Sequence, residues 1–215
     1  MTLRLLLALF FSLLALAPAA AIEPKPPGIV EVVVGGETFK IPRNYLLYVH
    51  PSSVGDKNFS AQMFATWPGM EKLSEATKHL WERRYPKRWI RFAVQDRMRG
   101  KDPYVALMER VERGKDVADS EPNAFGLLRY SYGKWESFVA ADGSLLTPSG
   151  TPVVFRCNDI TTDEMKELFD VQLVCIVEYV LKNKVWLHYS FFLVNLEHWR
   201  EIDQAVRSLV LSFMA

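Results

Sequence analysis

The chain has 215 residues, of which 49% are hydrophobic and 13% aromatic, and its formal net charge is +1. This length and hydrophobic content suffice for the buried core of one domain or of two small lobes. The near-neutral charge argues against a protein that binds nucleic acid or anionic membranes through its overall charge.

Residues 1–21 have the pattern of a secretory signal peptide. One charged residue, Arg4, precedes an apolar run from Leu5 to Ala17, and small residues then offer two A-x-A cleavage sites. The run is shorter than the roughly 20 apolar residues that a permanent membrane helix needs. We therefore expect an exported mature protein of residues 22–215 without stable membrane insertion. An uncleaved N-terminal anchor is the alternative.

The first predicted elements of the mature chain are strands. Two β-branched runs, Ile29–Val34 and Glu37–Ile41, flank Gly35-Gly36. Glycine supplies the positive φ angles of a two-residue turn, so this pattern predicts a hairpin. A third apolar run lies at Tyr45–Val49. The next segment alternates in a way that predicts a half-buried strand, whose apolar face would consist of Phe59, Ala61, Met63, Ala65 and Trp67.

The middle of the chain mixes helices and strands. Ser74 is predicted to cap a helix that continues to about Tyr85. Asp102-Pro103 is typical of a helix start and predicts a second helix that stops at Gly114. The polar stretch Lys115–Asn123 is predicted to be a surface loop. Further strands are predicted at Trp89–Val94, Leu127–Tyr132, Trp135–Ala140 and Pro152–Cys157.

The last third has the clearest periodicity. Val171–Leu181 and Val185–Val194 are β-rich runs on either side of a short polar turn, which predicts a hairpin. From Asn195, a candidate N-cap, the apolar period becomes helical. The apolar stripe of this helix, which should pack on the hairpin, consists of Leu196, Trp199, Ile202, Val206, Leu209, Val210 and Phe213.

These elements predict an α+β fold with a mainly antiparallel, twisted sheet, flanking helices and a C-terminal helix packed on a hairpin. Residues 22–215 would form a single domain. An arrangement in two lobes, of about 22–114 and 124–215, is the alternative.

Cys157 and Cys175 are the two cysteines of the chain. An even pair in an exported protein normally forms a disulfide. The alternatives are a metal site and a catalytic thiol. A zinc site wants four ligands, and a nucleophilic cysteine needs a base and freedom from its partner, so the disulfide is preferred.

The chain carries no nucleophile elbow, P-loop, zinc-protease or dinucleotide motif. His188 and His198 could meet in space, but two histidines without further ligands do not normally make a metal site. We therefore expect a binding protein rather than an enzyme, with no metal and no cofactor. A basic and aromatic stretch between Trp81 and Arg91 is either a solvated face or a protein interface, because arginine and tryptophan are favoured interface anchors.

Two stretches carry a resemblance to a known family. One is FKIPRNYLLYV, residues 39–49, with the later Trp67-Pro68-Gly69-Met70-Glu71. The other is the pattern VVFRC…VCIVEYVLKNKVWLHYSF…LEHWREID. In these residues the chain resembles small periplasmic proteins of Gram-negative bacteria that accompany toxic lipase effectors of the type VI secretion system. Those proteins are immunity factors.

The resemblance implies a periplasmic protein that binds a phospholipase effector and blocks its active site or its access to lipid. Exposed loops at Pro51–Asn58 and Lys115–Asn123 would plug the cleft, and the basic stretch would steer the encounter. The candidate contact residues are Arg83, Arg84, Lys87, Arg88, Asp56, Lys57 and Asn58. Two alternatives are a binding module for a small ligand or envelope component, with an aromatic pocket near Trp67, Trp135 and Trp186, and an unrecognised hydrolase.

Overall fold

The structure is a computed structural model that describes residues 26–51, 58–81, 88–96, 101–132, 135–158 and 174–215. Within these residues the chain forms eleven strands, two α-helices and two short 3₁₀ segments. The strands are β1 (Ile29–Val34), β2 (Glu37–Pro42), β3 (Leu46–Pro51), β4 (Asn58–Thr66), β5 (Trp89–Asp96), β6 (Val117–Ala118), β7 (Leu127–Tyr132), β8 (Trp135–Ala140), β9 (Phe155–Asn158), β10 (Val174–Lys182) and β11 (Val185–Phe192). The helices are α1 (Pro103–Glu112) and α2 (Trp199–Ser212), and the 3₁₀ segments are Lys78–Trp81 and Leu193–His198.

A nine-stranded antiparallel sheet dominates the architecture. Its strand order is β3-β4-β5-β11-β10-β9-β8-β7-β6, and β1 and β2 form a separate hairpin. Most neighbours in the sheet are also neighbours in sequence. The exception is the pair of the third and fourth strands in this order, in which β5 lies beside β11 with His188 opposite Ala93. The predicted α+β fold with a mainly antiparallel sheet and a C-terminal helix is thus confirmed.

One face of this sheet, the inner face, forms the main core. Helix α2 and the β1–β2 hairpin cover it, and they bury their apolar side chains against those of the strands. The predicted apolar stripe of the C-terminal helix is confirmed, because Trp199, Ile202, Val206, Val210 and Phe213 are all buried. The end of the chain also pairs with the hairpin, since the Ala215 amide donates to the Thr38 carbonyl over 3.0 Å.

The opposite side of the sheet, the outer face, is only partly covered. Helix α1 packs Leu107 against Val139 and Val154, near the β7 end of the sheet. The α1 start is as predicted, because Asp102 accepts the backbone N–H groups of Tyr104 and Val105 and Pro103 occupies the first turn. The outer-face side chains of β4, β5, β10 and β11 are mostly half-buried rather than buried.

The β1–β2 hairpin docks on the tip of the β10–β11 hairpin. Gly35 has a φ of 59°, and a Cβ there would lie 2.9 Å from the Lys184 carbonyl carbon. The turn therefore requires glycine for both its conformation and its close approach. Glu37 completes the contact, because its carboxylate accepts hydrogen bonds from Lys182 and Asn183.

The predicted helix after Ser74 is wrong over its described part. Only a turn and the 3₁₀ segment Lys78–Trp81 follow Ser74, and residues 82–87 lie outside the described ranges. The reason is that side-chain hydrogen bonds compete with the backbone hydrogen bonds of a helix at this point. Thr77 Oγ1 donates to the Lys72 carbonyl and accepts the Ser74 amide, which offers the backbone an alternative to helical hydrogen bonds.

Asn195 as the cap of the C-terminal helix is also wrong. Leu193–His198 form a 3₁₀ segment, and α2 begins only at Trp199, with His198 in the cap position and no side-chain capping bond. Leu196 and Trp199 both reach the core, and three-residue spacing on one face is what a 3₁₀ helix provides.

Two strand predictions need smaller corrections. Lys115–Asn123 is not entirely loop, because Val117–Ala118 form the edge strand β6 beside β7. In β4, Ala61, Met63 and Ala65 face the core as predicted, but Phe59 is 50% exposed. The β3–β4 register is irregular at this point, because His50 pairs with Ser60 but Pro51 pairs with Asn58. Phe59 is the extra residue of this irregularity, so the inward face of the strand begins only at Ala61.

Candidate functional site

The predicted disulfide is present and lies at the centre of the sheet. Cys157 on β9 and Cys175 on β10 are direct cross-strand neighbours, and their sulfurs are bonded. Both residues are fully buried in the main core. The bond therefore holds β9 against β10. Both strands also contribute side chains to the outer face of the sheet.

An ionic group occupies the middle of that outer face. His188 and Glu178 are cross-strand partners on β11 and β10, and His188 Nδ1 donates to Glu178 Oε1 over 2.9 Å. Arg156 on β9 donates through Nη2 to the second oxygen, Oε2, over 2.9 Å. The hydrogen bond from His188, aided by the charge of Arg156, holds the pKa of Glu178 below its usual value although burial acts in the opposite direction.

A second polar chain runs across β3, β4 and β5. Arg91 Nη2 donates to Gln62 Oε1 over 2.6 Å, and Gln62 Nε2 donates to His50 Nε2 over 2.9 Å. The His50 ring lies against Tyr48, with 4.3 Å between ring centroids. These contacts fix the amide of Gln62 and hold the guanidinium of Arg91 in a defined position on the outer face.

A small cavity of about 140 Å³ lies beside Arg91. Aromatic rings form much of its wall, since Phe64 and Trp89 meet edge to face with 6.2 Å between centroids. Phe192 and Val174, which are cross-strand partners, close another side. The outer face thus combines an apolar cavity with an adjacent positive charge.

The rigid support of this face lies directly behind it, under β10 and β11. Tyr179 and Tyr189 both donate to Asp203 Oδ1 on α2, over 2.9 and 2.8 Å, and Arg207 donates to Oδ2 over 2.8 Å. Burial, and then the charge of Asp203, raise the pKa of both tyrosine hydroxyls. The group joins the inner side of the central hairpin to the C-terminal helix.

Acid should weaken the outer-face ionic group in a measurable way. Because the pKa of Glu178 is lower in the folded than in the unfolded chain, its ionised form stabilises the fold above about pH 4.5. This stabilisation is lost as the pH falls through the folded-state pKa. Urea unfolding from neutral pH to about pH 3 should show Glu178→Gln less stable than wild type at neutral pH and a shrinking difference in acid.

The matched control for that titration is Glu121→Gln, which removes an exposed carboxylate without an ion pair among the described residues. Its free energy of unfolding at neutral pH should stay within about 0.5 kcal/mol of wild type. A Glu178→Gln difference that is equally large at both ends of the range would contradict the assigned role of the Glu178 contacts.

Most of the predicted partner-contact residues fall outside the described ranges. These are Arg83, Arg84, Lys87, Asp56 and Lys57, together with the side chain of Asn58. Arg88 is described and exposed, directly before Trp89. Their part in binding stays a prediction. The proposed signal peptide also lies outside the described residues.

The other predicted groupings are not brought together in the described structure. His188 pairs with Glu178, whereas His198 lies beside Trp67 with 6.0 Å between ring centroids. Neither Trp67, Trp135 nor Trp186 lines the cavity on the outer face. Over the residues the structure covers, no group of three or more His, Cys, Asp or Glu side chains is placed to hold a metal ion. No helix in the described part of the chain is long and apolar enough to cross a membrane.

The outer-face residues Gln62 and Glu178 and the buried Asp203 were not among the residues predicted from the sequence. Asp203 did carry a signal, because it lies between Ile202 and Val206 on the apolar stripe of α2, with Arg207 four residues later. A carboxylate in such a stripe is expected to have buried partners. Gln62 and Glu178 carried no comparable signal.

The architecture places the chain in an α+β class that is known from solved structures. One such structure is an immunity protein of the Stenotrophomonas maltophilia type IV secretion system. It is 17% identical to this chain, with a TM-score of 0.61, and the match covers 92% of this chain and 98% of that chain. The chain therefore has the fold of this immunity protein.

A second solved structure is the iron-regulated outer membrane lipoprotein FrpD of Neisseria meningitidis. It is 12% identical, with a TM-score of 0.49, and the match covers 90% of this chain and 97% of that chain. No protein-family model matches the chain, and no curated protein sequence matches it significantly.

Proposed function

We propose that this protein is a periplasmic immunity protein that binds and neutralises a toxic effector delivered by a bacterial secretion system. The observation that carries the proposal is the shared fold with a secretion-system immunity protein over nearly the full length of both chains. The signal-peptide pattern of residues 1–21 and the disulfide support the periplasmic location, because disulfides persist in oxidising compartments.

The physical features of the outer face suit an inhibitor. A cross-linked sheet with a buried polar group behind it is rigid, so little conformational entropy is lost on binding. Side chains such as Arg91 and His50 are already held by hydrogen bonds, which further reduces the cost of ordering them. Aromatic and arginine side chains on one face are the residue types that dominate binding energy in protein interfaces.

The finer proposal concerns the effector. The sequence resemblance favours a phospholipase of the type VI secretion system, whereas the solved neighbour belongs to a type IV secretion system. We propose a lipase as the target, blocked at its active site or at its access to lipid. An inhibitor that acts by blocking the lipase needs no catalytic group of its own.

Co-expression in a Gram-negative host tests the proposal. An immunity role predicts that the toxin is encoded by the neighbouring gene, and the product of that gene is directed to the periplasm, together with either the full chain or a chain without residues 1–21. Growth should be restored by the full chain alone, because only the exported form meets the toxin. Growth arrest in the presence of both forms would contradict an immunity role.

A lipid-hydrolysis assay tests the proposal that the effector is a lipase separately from the proposal that this protein is an immunity protein. The purified effector should release fatty acid from phospholipid vesicles, and a stoichiometric amount of this protein should abolish the release. If growth is protected but the effector does not hydrolyse lipid, the lipase assignment is wrong and the immunity role stands.

A further inference from the structure

The outer-face cavity has an unusual combination of size, wall and charge. Its apolar lining is formed by the side chains of Phe64, Trp89, Val174 and Phe192, and Ser190 and Arg91 are the polar residues. Phe191 also borders the cavity, but its ring lies on the inner face, in the main core. Phe64, Arg91 and Ser190 occupy one row across β4, β5 and β11, because they are successive cross-strand partners. The cavity thus lies over four adjacent strands of the sheet, β4, β5, β11 and β10, rather than in a loop.

Arg91 supplies a positive charge at the edge of this apolar wall. The side chain is exposed, and its hydrogen bond to Gln62 engages only one of its donors. No carboxylate in the described part of the chain forms an ion pair with Arg91. Arg88, also exposed, adds a second positive charge next to Trp89. An acidic partner group would therefore complement this edge of the cavity.

The size of the cavity indicates whether it holds a small molecule or a single side chain of another protein. Pockets for small molecules generally enclose about 300–1,000 Å³. A cavity of about 140 Å³ is smaller than that range. Protein interfaces, in contrast, commonly bury a single anchoring side chain in a well-packed pocket. The volume therefore favours one side chain of a protein over an acyl chain or a cofactor.

We propose that this cavity receives one apolar side chain of the effector and that Arg91 binds a carboxylate beside that side chain. The proposal rests on the immunity function proposed above and adds the chemistry of the recognised segment, an apolar residue adjacent to aspartate or glutamate. Arginine binds a carboxylate through two parallel hydrogen bonds, which fixes the orientation of the segment as well as its affinity.

Two substitutions test the two halves of this contact. Arg91→Glu reverses the charge, and Ser190→Phe fills the cavity. In biolayer interferometry with the effector encoded by the neighbouring gene, each should weaken binding about 100-fold. Arg113→Glu on the exposed end of α1 and Ser208→Phe on the exposed side of α2 are the matched controls, and they should stay within about threefold of wild type. Thermal unfolding of each variant confirms that it is folded.

Exchanging the charges of Arg91 and its partner on the effector gives a result that misfolding of a variant cannot produce, namely restored binding. Acidic residues of the effector are replaced one at a time by lysine, and one replacement should restore binding to Arg91→Glu while weakening binding to the wild type. Absence of any such replacement, with wild-type affinity retained by both Arg91→Glu and Ser190→Phe, would overturn the proposal. Failure of the wild type to bind the effector would instead overturn the proposed function.

Sodium dodecanoate distinguishes a protein side chain from a lipid. The proposal predicts no saturable binding of dodecanoate at the cavity, as followed by tryptophan fluorescence in wild type and Ser190→Phe. Saturable binding that Arg91→Glu and Ser190→Phe both abolish, with effector affinity unchanged in both variants, would assign the cavity to an acyl carboxylate and contradict the proposal.

Discussion

Replacing Asp203 by alanine should destabilise the protein by about 3–5 kcal/mol, as expected when one member of a buried charge pair is removed. Asp203 is 1% exposed and accepts hydrogen bonds from Tyr179, Tyr189 and Arg207. Without it, both tyrosine hydroxyls lose the carboxylate that accepts their hydrogen bonds, and Arg207 loses its ion pair while it keeps its bonds to Tyr179 and the Leu146 carbonyl. Urea unfolding at neutral pH measures the loss directly, as a lower free energy of unfolding.

Two further variants show whether the effect comes from the buried group. Gln204→Ala changes the neighbouring exposed position of α2 and should alter the free energy of unfolding by about 0.5 kcal/mol or less. Asp203→Asn keeps the shape of the side chain but removes its charge, and should lie between wild type and Asp203→Ala. If Asp203→Ala behaves like Gln204→Ala, the assigned role of the group is wrong.

Loss of the disulfide is the second large effect that we expect. Cys157 and Cys175 are 18 positions apart in sequence, and closing a loop of that size stabilises the folded state by about 3 kcal/mol in the chain-entropy model. For a domain of this length, that corresponds to a fall of about 6–12 °C in Tm. Calorimetry of the protein with and without a reducing agent gives the measurement.

The double variant Cys157→Ala/Cys175→Ala separates the cross-link from the side chains. Reduced wild type lacks the bond but keeps both sulfur atoms, so the double variant should be at least as destabilised as reduced wild type. The variant should also be insensitive to reducing agent. Equal Tm values for oxidised and reduced wild type would show that the bond does not stabilise the fold.

The sequence predicts the local elements of this fold well because their signals are local. Gly35-Gly36 determines one hairpin, Asp102-Pro103 determines the start of α1, and the apolar period determines the buried face of α2. The pairing of β5 with β11 joins residues nearly 100 positions apart, as in Ala93 and His188. No turn between the two strands specifies that pairing, so the strand order of the sheet was not predictable.

The pairing of Glu178 with His188 could not be predicted from the sequence because it depends on a register shift between β10 and β11. Lys182 pairs with Val185, and continuing that register would place Glu178 opposite Tyr189. An irregularity between Val180 and Lys182 shifts the pairing by one residue and places Glu178 opposite His188 instead. A shift of one residue exchanges the cross-strand neighbours of the whole strand, and nothing in the sequence marks where it occurs.

A calorimetric titration of the effector encoded by the neighbouring gene tests the immunity function without any other component. The titrant is this protein, purified from the periplasm after expression of the full chain. We predict a saturable complex with a Kd in the nanomolar range, as in other tight inhibitor complexes. Absence of heat and of a complex at about 10 µM of both proteins would contradict the immunity function.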